Sequence, residues 1–165
     1  MTAAETAVND REIVIARDFN APRQLVWDAF TDPKHREKWF GPKGYTMKVI
    51  SSDFRVGGRW EEKMIGPEGE FPYSGVYKEI VPIERIVSTD EFGETVKDSM
   101  PDLPEGMVVT TLFEDKGGEK TGVTIRTLHP TAEDKKKHEA MGVEAGWAST
   151  LDNLDEYLAE LQEGA

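Results

Sequence analysis

The sequence contains no cysteine among its 165 residues. This absence excludes disulfides, a thiolate nucleophile and cysteine-ligated zinc or iron–sulfur centres. No apolar run approaches the roughly 18 residues that a membrane span requires, and residues 1–10 lack the basic and apolar regions of a signal peptide. We therefore expect a cytoplasmic protein.

Basic residues are in the minority, with 20 Lys and Arg against 32 Asp and Glu, which gives a net charge of −12. Such a surface repels phosphate backbones and anionic lipid headgroups, so we expect neither nucleic acid nor a membrane as partner. The acidic residues are spread along the chain. This spread favours a solvated, solubilising shell, with an acidic docking patch as the alternative.

Motifs for metals, phosphates and nucleophiles are missing as well. His138-Glu139 begins like the metalloprotease motif H-E-x-x-H, but Gly142 stands where the second histidine belongs. The other two histidines, His35 and His129, show no ligand spacing, the glycine pairs lack a following Lys-Ser/Thr, and no G-x-S-x-G is present. We predict no metal, no cofactor and no identifiable catalytic residue.

The periodicity of apolar residues divides the chain into secondary-structure elements. Residues 11–19 alternate as a half-buried strand does. Asn20 is a candidate N-cap and Pro22 suits the first turn of a helix that ends near Thr31, and a second short helix follows at 34–39. Six more strands are predicted, separated by brief turns typical of an antiparallel meander, at 46–54, 58–65, 73–81, 85–92, 107–114 and 122–129. Residues 94–105 are predicted to form a loop.

The C-terminal segment predicts one long helix, capped by Thr131 and running to Leu161. About thirty residues would give a rod of roughly 45 Å. Gly142 and Gly146 lie inside it, and each costs about 1 kcal/mol relative to alanine. These costs indicate either a closely packed strand or a cavity beside the helix.

Together the elements predict an α+β fold, with a curved antiparallel sheet of about seven strands wrapped around the long C-terminal helix and two short helices after strand 1. We assign residues 1–9 to a flexible arm and residues 10–165 to a single domain. A bent sheet and a straight rod match poorly in shape, so we expect a cavity between them.

The candidate cavity residues are mostly aromatic, methionine or small: Trp39, Phe40, Trp60, Glu62, Met64, Tyr73, Tyr77, Met107, Met141, Ala145, Trp147, Ala148 and Leu151. Glu62 shares a strand face with Trp60 and Met64. In a functional interpretation, this carboxylate orients a ligand or exchanges protons. In a structural interpretation, it pairs with an arginine or lies at the open end of the sheet. Both interpretations remain open at this stage.

The chain resembles the SRPBCC (START-like, helix-grip) superfamily, and within it the family named for the activator of the ninety-kilodalton heat-shock protein ATPase. The resemblance rests on the order and spacing of these segments: FNAP at 19–22, VWDAFTDP at 26–33, WFGPKG at 39–44, DFRVGGRW at 53–60, GVYKEIVPIERIV at 75–87, TGVTI at 121–125, GW at 146–147 and LDNL at 151–154.

The resemblance implies a cavity facing the terminal helix, with the short helices near Trp39 at its mouth. We expect a monomeric or homodimeric protein that binds a small hydrophobic or aromatic molecule, such as a lipid, in that cavity. Two alternatives are a co-chaperone in the stress response that stimulates a heat-shock chaperone ATPase, and a cyclase- or hydrolase-type enzyme using the same cavity through Glu62, Tyr73, Tyr77 or His129.

Overall fold

The computed structural model of the protein describes residues 10–93 and 106–163, which form seven strands and four helices. In chain order these are β1 (Glu12–Phe19), α1 (Arg23–Thr31), α2 (Pro33–Trp39), β2 (Thr46–Ser52), β3 (Arg59–Gly66), β4 (Gly69–Val81), β5 (Arg85–Phe92), β6 (Met107–Gly117), β7 (Lys120–Leu128), α3 (Ala132–Ala140) and α4 (Val143–Glu163). The predicted arm at 1–9 and the predicted loop at 94–105 lie outside the described residues.

All seven strands form one antiparallel sheet in the order β1-β7-β6-β5-β4-β3-β2. Strands β2 to β7 follow one another as the predicted meander, and β1 pairs with the last strand, from Glu12 opposite Leu128 to Phe19 opposite Thr121. The fold is α+β of the helix-grip type, as predicted. Register shifts at Val49/Ser51 and Tyr77/Glu79 add local bends to a sheet that already twists.

The core lies between the sheet and helices α1 and α4. From α4 come Leu151, Leu154 and Leu158, each no more than 2% exposed, at the helical steps of three and four that the sequence shows. Full burial of one such side chain stabilises the fold by about 1.5–3 kcal/mol. This apolar stripe of leucines is therefore the surface by which α4 is held.

The prediction of one continuous C-terminal helix is wrong, because the chain divides into α3 and α4 at Gly142. This glycine has a φ of 80°, in the left-handed region where a Cβ is unfavourable, and its amide donates to the Glu139 carbonyl in a tight C-terminal turn. Helix α4 has 21 residues and thus a length of about 31 Å instead of 45 Å. Gly142 is a terminator, not an interior residue.

One predicted cap is present and one is not. The Thr131 hydroxyl accepts a hydrogen bond from the Asp134 amide at the start of α3. Asn20 does not cap α1, whose N-cap is Pro22, a residue without a capping side chain. The cap that joins the two short helices is Asp32, which accepts from the Lys34 amide at 2.9 Å.

Candidate functional site

A hollow with two adjacent compartments lies between the concave face of the sheet and helices α2, α3 and α4. The inner compartment is the more enclosed and has a volume of about 160 Å³, whereas the outer compartment has a volume of about 310 Å³. Five residues line both and mark the junction between them: Phe40, Tyr73, Asp90, His138 and Trp147. An apolar cavity of about 150 Å³ is large enough to bind benzene, so each compartment has room for at least one ring.

Alternation along the strands directs side chains into this hollow. On β5, every second residue lines it: Ile86, Ser88, Asp90 and Phe92. On β3 the same holds for Trp60, Glu62 and Met64. The hollow is thus built from the face that the strand pattern identifies as concave.

Gly75 on β4 allows Trp60 to lie flat across its strand. A Cβ at position 75 would stand 2.6 Å from an indole carbon of Trp60 and 2.0 Å from the Thr89 carbonyl oxygen, both far inside contact distance. The indole Nε1 of Trp60 donates to the Ser88 hydroxyl at 2.7 Å. Glycine is therefore required here so that the indole can form one wall of the inner compartment.

A buried ion pair joins α2 to β3 at the inner compartment. Arg36 Nε donates to Glu62 Oε2 at 2.8 Å and Arg36 Nη2 donates to Oε1 at 2.9 Å, a two-pronged geometry. The Arg36 guanidinium also donates to the Phe30 carbonyl at 3.1 Å and lies 4.3 Å from the centre of the Phe40 ring. Burial opposes its charge, but Glu62 raises the pKa of Arg36 above its usual value, so the pair is charged and internally neutral.

Two further polar groups lining the hollow have no partner. The Tyr73 hydroxyl is buried without a hydrogen bond in the part of the chain that the structure describes. The Asp90 carboxyl forms no ion pair and accepts no hydrogen bond from any residue in 10–93 or 106–163. Burial, reinforced by the charge of Glu62, raises the pKa of Asp90 to about 7 and raises that of Tyr73 well above its ordinary value.

A histidine pair closes the hollow at α3. His129 Nδ1 lies 2.7 Å from the Arg11 carbonyl oxygen, which can only accept, so this nitrogen carries the proton. His129 Nε2, 2.9 Å from His138 Nδ1, then accepts from it, which leaves His138 Nε2 as an unprotonated acceptor. Burial, together with the neighbouring imidazole, lowers the pKa of His138 to about 4, so the ring is neutral at ordinary pH.

Nine of the residues predicted from the sequence to line a cavity border this hollow. Trp60, Glu62 and Tyr77 line the inner compartment, Met64, Met107 and Met141 line the outer one, and Phe40, Tyr73 and Trp147 line both. Glu62 is also paired with an arginine, as one of its two sequence interpretations proposed.

Four predicted residues lie elsewhere. Trp39 and Leu151 belong to the core at 2% exposure, and the Trp39 indole donates to the Ala29 carbonyl at 2.9 Å. Ala145 and Ala148 are exposed on α4 and line neither compartment. Of the small residues in this part of the chain, Gly142 and Gly146 border the outer compartment, whereas these two alanines do not.

Three titratable residues of the site are not among those predicted from the sequence: Arg36, Asp90 and His138. Asp90 has a clear signal, since it stands two residues from Ser88 and Phe92 on the same strand face. The sequence contains no equivalent signal for Arg36 and His138, because each of them reaches the hollow from a helix whose placement depends on tertiary packing. His35, the remaining histidine, bonds instead to the Tyr157 hydroxyl at 2.5 Å.

In residues 10–93 and 106–163, no group of three or more His, Asp or Glu side chains is placed to hold a metal ion. None of the helices that the structure describes is both long and apolar enough to cross a membrane.

Comparison with known proteins identifies the family. Residues 20–159 match the model of the family described as Activator of Hsp90 ATPase homolog 1-like protein (AHSA1). The chain belongs to this family. No protein among those of curated function matches the chain.

Solved structures from several bacteria share this architecture over nearly the whole chain. A crystal structure from Nitrosomonas europaea is 27% identical, with a TM-score of 0.79, and covers 93% of this chain and 97% of its own. A solution structure from Staphylococcus epidermidis is 30% identical, with a TM-score of 0.76 and coverage of 91% and 90%. One from Arthrobacter aurescens is 25% identical, with a TM-score of 0.83 and coverage of 93% and 88%.

Proposed function

We propose that this AHSA1-type protein binds a small hydrophobic or aromatic molecule in the hollow between its sheet and its C-terminal helices. The observation that supports this most strongly is the two-compartment hollow itself, bordered by aromatic rings and methionines and carrying a few convergent polar groups. This combination of apolar walls with few, well-placed polar atoms is typical of small-molecule sites.

The two compartments suit two parts of one ligand. The outer compartment is bordered by Met64, Met107 and Met141, whose flexible thioethers adapt to different shapes. The inner compartment is bordered by rings and by the Arg36–Glu62 pair, which fixes a polar end. An amphipathic molecule with an apolar body outside and a polar group inside satisfies both regions.

Position 146 on α4 provides a way to test this proposal. Gly146 borders the outer compartment, and a Cβ built there has no atom within 4 Å, so the side chain of Gly146→Leu enters open space. Ala148→Leu adds a comparable side chain on the solvent side of the same helix and serves as the matched control.

The measurement is a thermal-shift and calorimetric screen of lipids, flavonoids and polyketides. We expect at least one class to raise the melting temperature of the wild-type protein and of Ala148→Leu, because a ligand that binds only the folded state stabilises it. Gly146→Leu should abolish that shift. The proposal fails if no class binds, or if Gly146→Leu and Ala148→Leu respond alike.

Acid–base catalysis on the bound molecule is a second candidate, favoured by the convergence of Tyr73, Asp90 and His138 at the junction of the compartments. A neutral histidine acceptor and a carboxyl with a pKa near 7 are suited to proton transfer at neutral pH. Once a ligand is identified, mass spectrometry after prolonged incubation tests this candidate. A ligand recovered unchanged excludes catalysis and leaves binding intact.

Stimulation of a chaperone ATPase is suggested by the description of the family alone. We propose it as the lesser alternative, together with a cytoplasmic location and a monomeric or homodimeric state. Phosphate release by an Hsp90-type chaperone, measured with and without the protein at low salt, tests the stimulation. An unchanged rate removes this alternative.

A further inference from the structure

The charges that line the hollow do not balance. Arg36 and Glu62 neutralise each other through two hydrogen bonds of 2.8 and 2.9 Å. His138 is neutral because burial, together with the neighbouring His129 imidazole, lowers its pKa to about 4. When ionised, Asp90 therefore contributes one negative charge without an ion-pair or hydrogen-bond partner in 10–93 or 106–163, and Glu62 acts on it more strongly than Arg36 does.

Aromatic rings line the same junction as that carboxyl. Phe40, Tyr73 and Trp147 line both compartments, as Asp90 does, so all four side chains meet at the junction. Trp147 packs edge-on against Phe40 with ring centres 5.7 Å apart, and Tyr73 packs in the same way against Trp60 at 5.8 Å. The negative faces of aromatic rings attract cations, and tryptophan does so most strongly.

An uncompensated carboxylate among aromatic rings is a recognition site for an organic cation. An anionic ligand would be repelled by ionised Asp90, and a neutral one would leave the carboxyl to take up a proton in place of a counter-charge. We infer that the molecule bound in the hollow carries a positively charged amine on an apolar or aromatic body, with Asp90 as the counter-ion. This inference rests on the proposed binding function and deepens it.

Three probes with one common body test the inference: naphthylmethylamine, naphthylmethanol and naphthoic acid. Binding is measured by calorimetry at pH 7.5, just above the pH of about 7 at which half of Asp90 is ionised. The amine should bind at least tenfold more tightly than the alcohol, and the acid should bind most weakly. Asp90→Asn should erase the preference for the amine while leaving the alcohol bound. Glu91→Gln, an exposed neighbour on the same strand, is the control and should keep it.

The affinity for the amine should also rise with pH, whereas the affinity for the alcohol should not. The titratable and charged groups that act on Asp90 are Glu62, Arg36, Glu91 and Tyr73, and His138 lines the same junction. His138 titrates near pH 4, and Tyr73 titrates well above neutrality. Because the amine requires the ionised carboxylate, its affinity should rise roughly tenfold or more from pH 5 to pH 7 and then level off.

The outcomes separate this inference from the function on which it rests. If the alcohol binds as tightly as the amine, or if Asp90→Asn keeps the preference, the cation inference is wrong while ligand binding stands. If none of the three probes binds, both are overturned for aromatic ligands. Carboxyl NMR gives an independent readout, since the amine should lower the pKa of Asp90 and the alcohol should not.

Discussion

The neighbouring residues Glu61 and Glu62 are expected to respond very differently to the same substitution. In Glu62→Gln, the buried guanidinium of Arg36 loses its counter-charge and at least one of its two short hydrogen bonds. The side chains of Arg36 and Glu62 are only 18% and 6% exposed, so water cannot replace what is lost. Breaking a buried pair by removing one partner costs about 3–5 kcal/mol, and we expect the lower end because glutamine still accepts one bond.

Glu61→Gln supplies the matched control one residue away. Glu61 pairs with Arg59 at 3.3 Å, but these side chains are 41% and 58% exposed, and exposed pairs contribute about 0–1 kcal/mol. Urea denaturation of both variants, fitted with a common slope, measures the difference in unfolding free energy. A loss of about 3 kcal/mol corresponds to a fall in melting temperature of roughly 6–12 °C for a chain of this size.

A double substitution sharpens the test. If the cost in Glu62→Gln arises from an uncompensated buried charge, Arg36→Met combined with Glu62→Leu should recover most of it, because no charge remains. The reasoning is refuted if Glu61→Gln and Glu62→Gln differ by less than 0.5 kcal/mol, or if the double variant is less stable than Glu62→Gln alone.

Three further predictions concern backbone and pH. Gly75→Ala should destabilise the fold by about 3 kcal/mol in urea melts, since its Cβ would lie 2.0 Å from a carbonyl oxygen of the next strand. Gly142→Ala should lower the free energy of unfolding by about 1 kcal/mol, because residue 142 has a positive φ. Gly146→Ala, with open space around its Cβ, should raise it by up to about 1 kcal/mol. Equal effects of the two substitutions would contradict the assigned helix break. Because folding raises the pKa of Asp90 to about 7, the folded state binds the Asp90 proton more tightly than the unfolded state does. The wild type should therefore lose stability relative to Asp90→Asn as pH rises from about 4 to 7. The opposing effect of His138 is common to both proteins, and parallel curves of stability against pH would refute the raised pKa.

The strands were predictable because their signal is local. Alternation of apolar and polar residues survives in each half-buried strand, and glycine-rich turns mark the ends, so the bounds of β5 are those predicted and the others differ by a few residues. Strand β1 pairs with β7, which places the first strand of the chain beside the last one and completes the sheet over the core. The C-terminal helix was mispredicted because Gly142 gives the same sequence signal whether it interrupts a helix or ends one.

The site was predictable to the extent that strands build it. Trp60, Glu62, Tyr73 and Tyr77 follow from strand parity, and Asp90 could have been found in the same way. Of the helix residues, Trp147 was predicted but Arg36 and His138 were not, because the direction of a helix side chain depends on how the helix packs. Trp39 illustrates this, since it was predicted to line the cavity while its indole fills the core.

Two features at the junction of the compartments run against stability, and their coincidence is the strongest reason to regard the hollow as functional. A buried Tyr73 hydroxyl without a partner costs about 1–3 kcal/mol, and an apolar residue would avoid that cost. Asp90 is held where its charged form is disfavoured. A fold selected for stability alone would fill this space with leucine, whereas a ligand that bonds to these groups would offset their cost on binding.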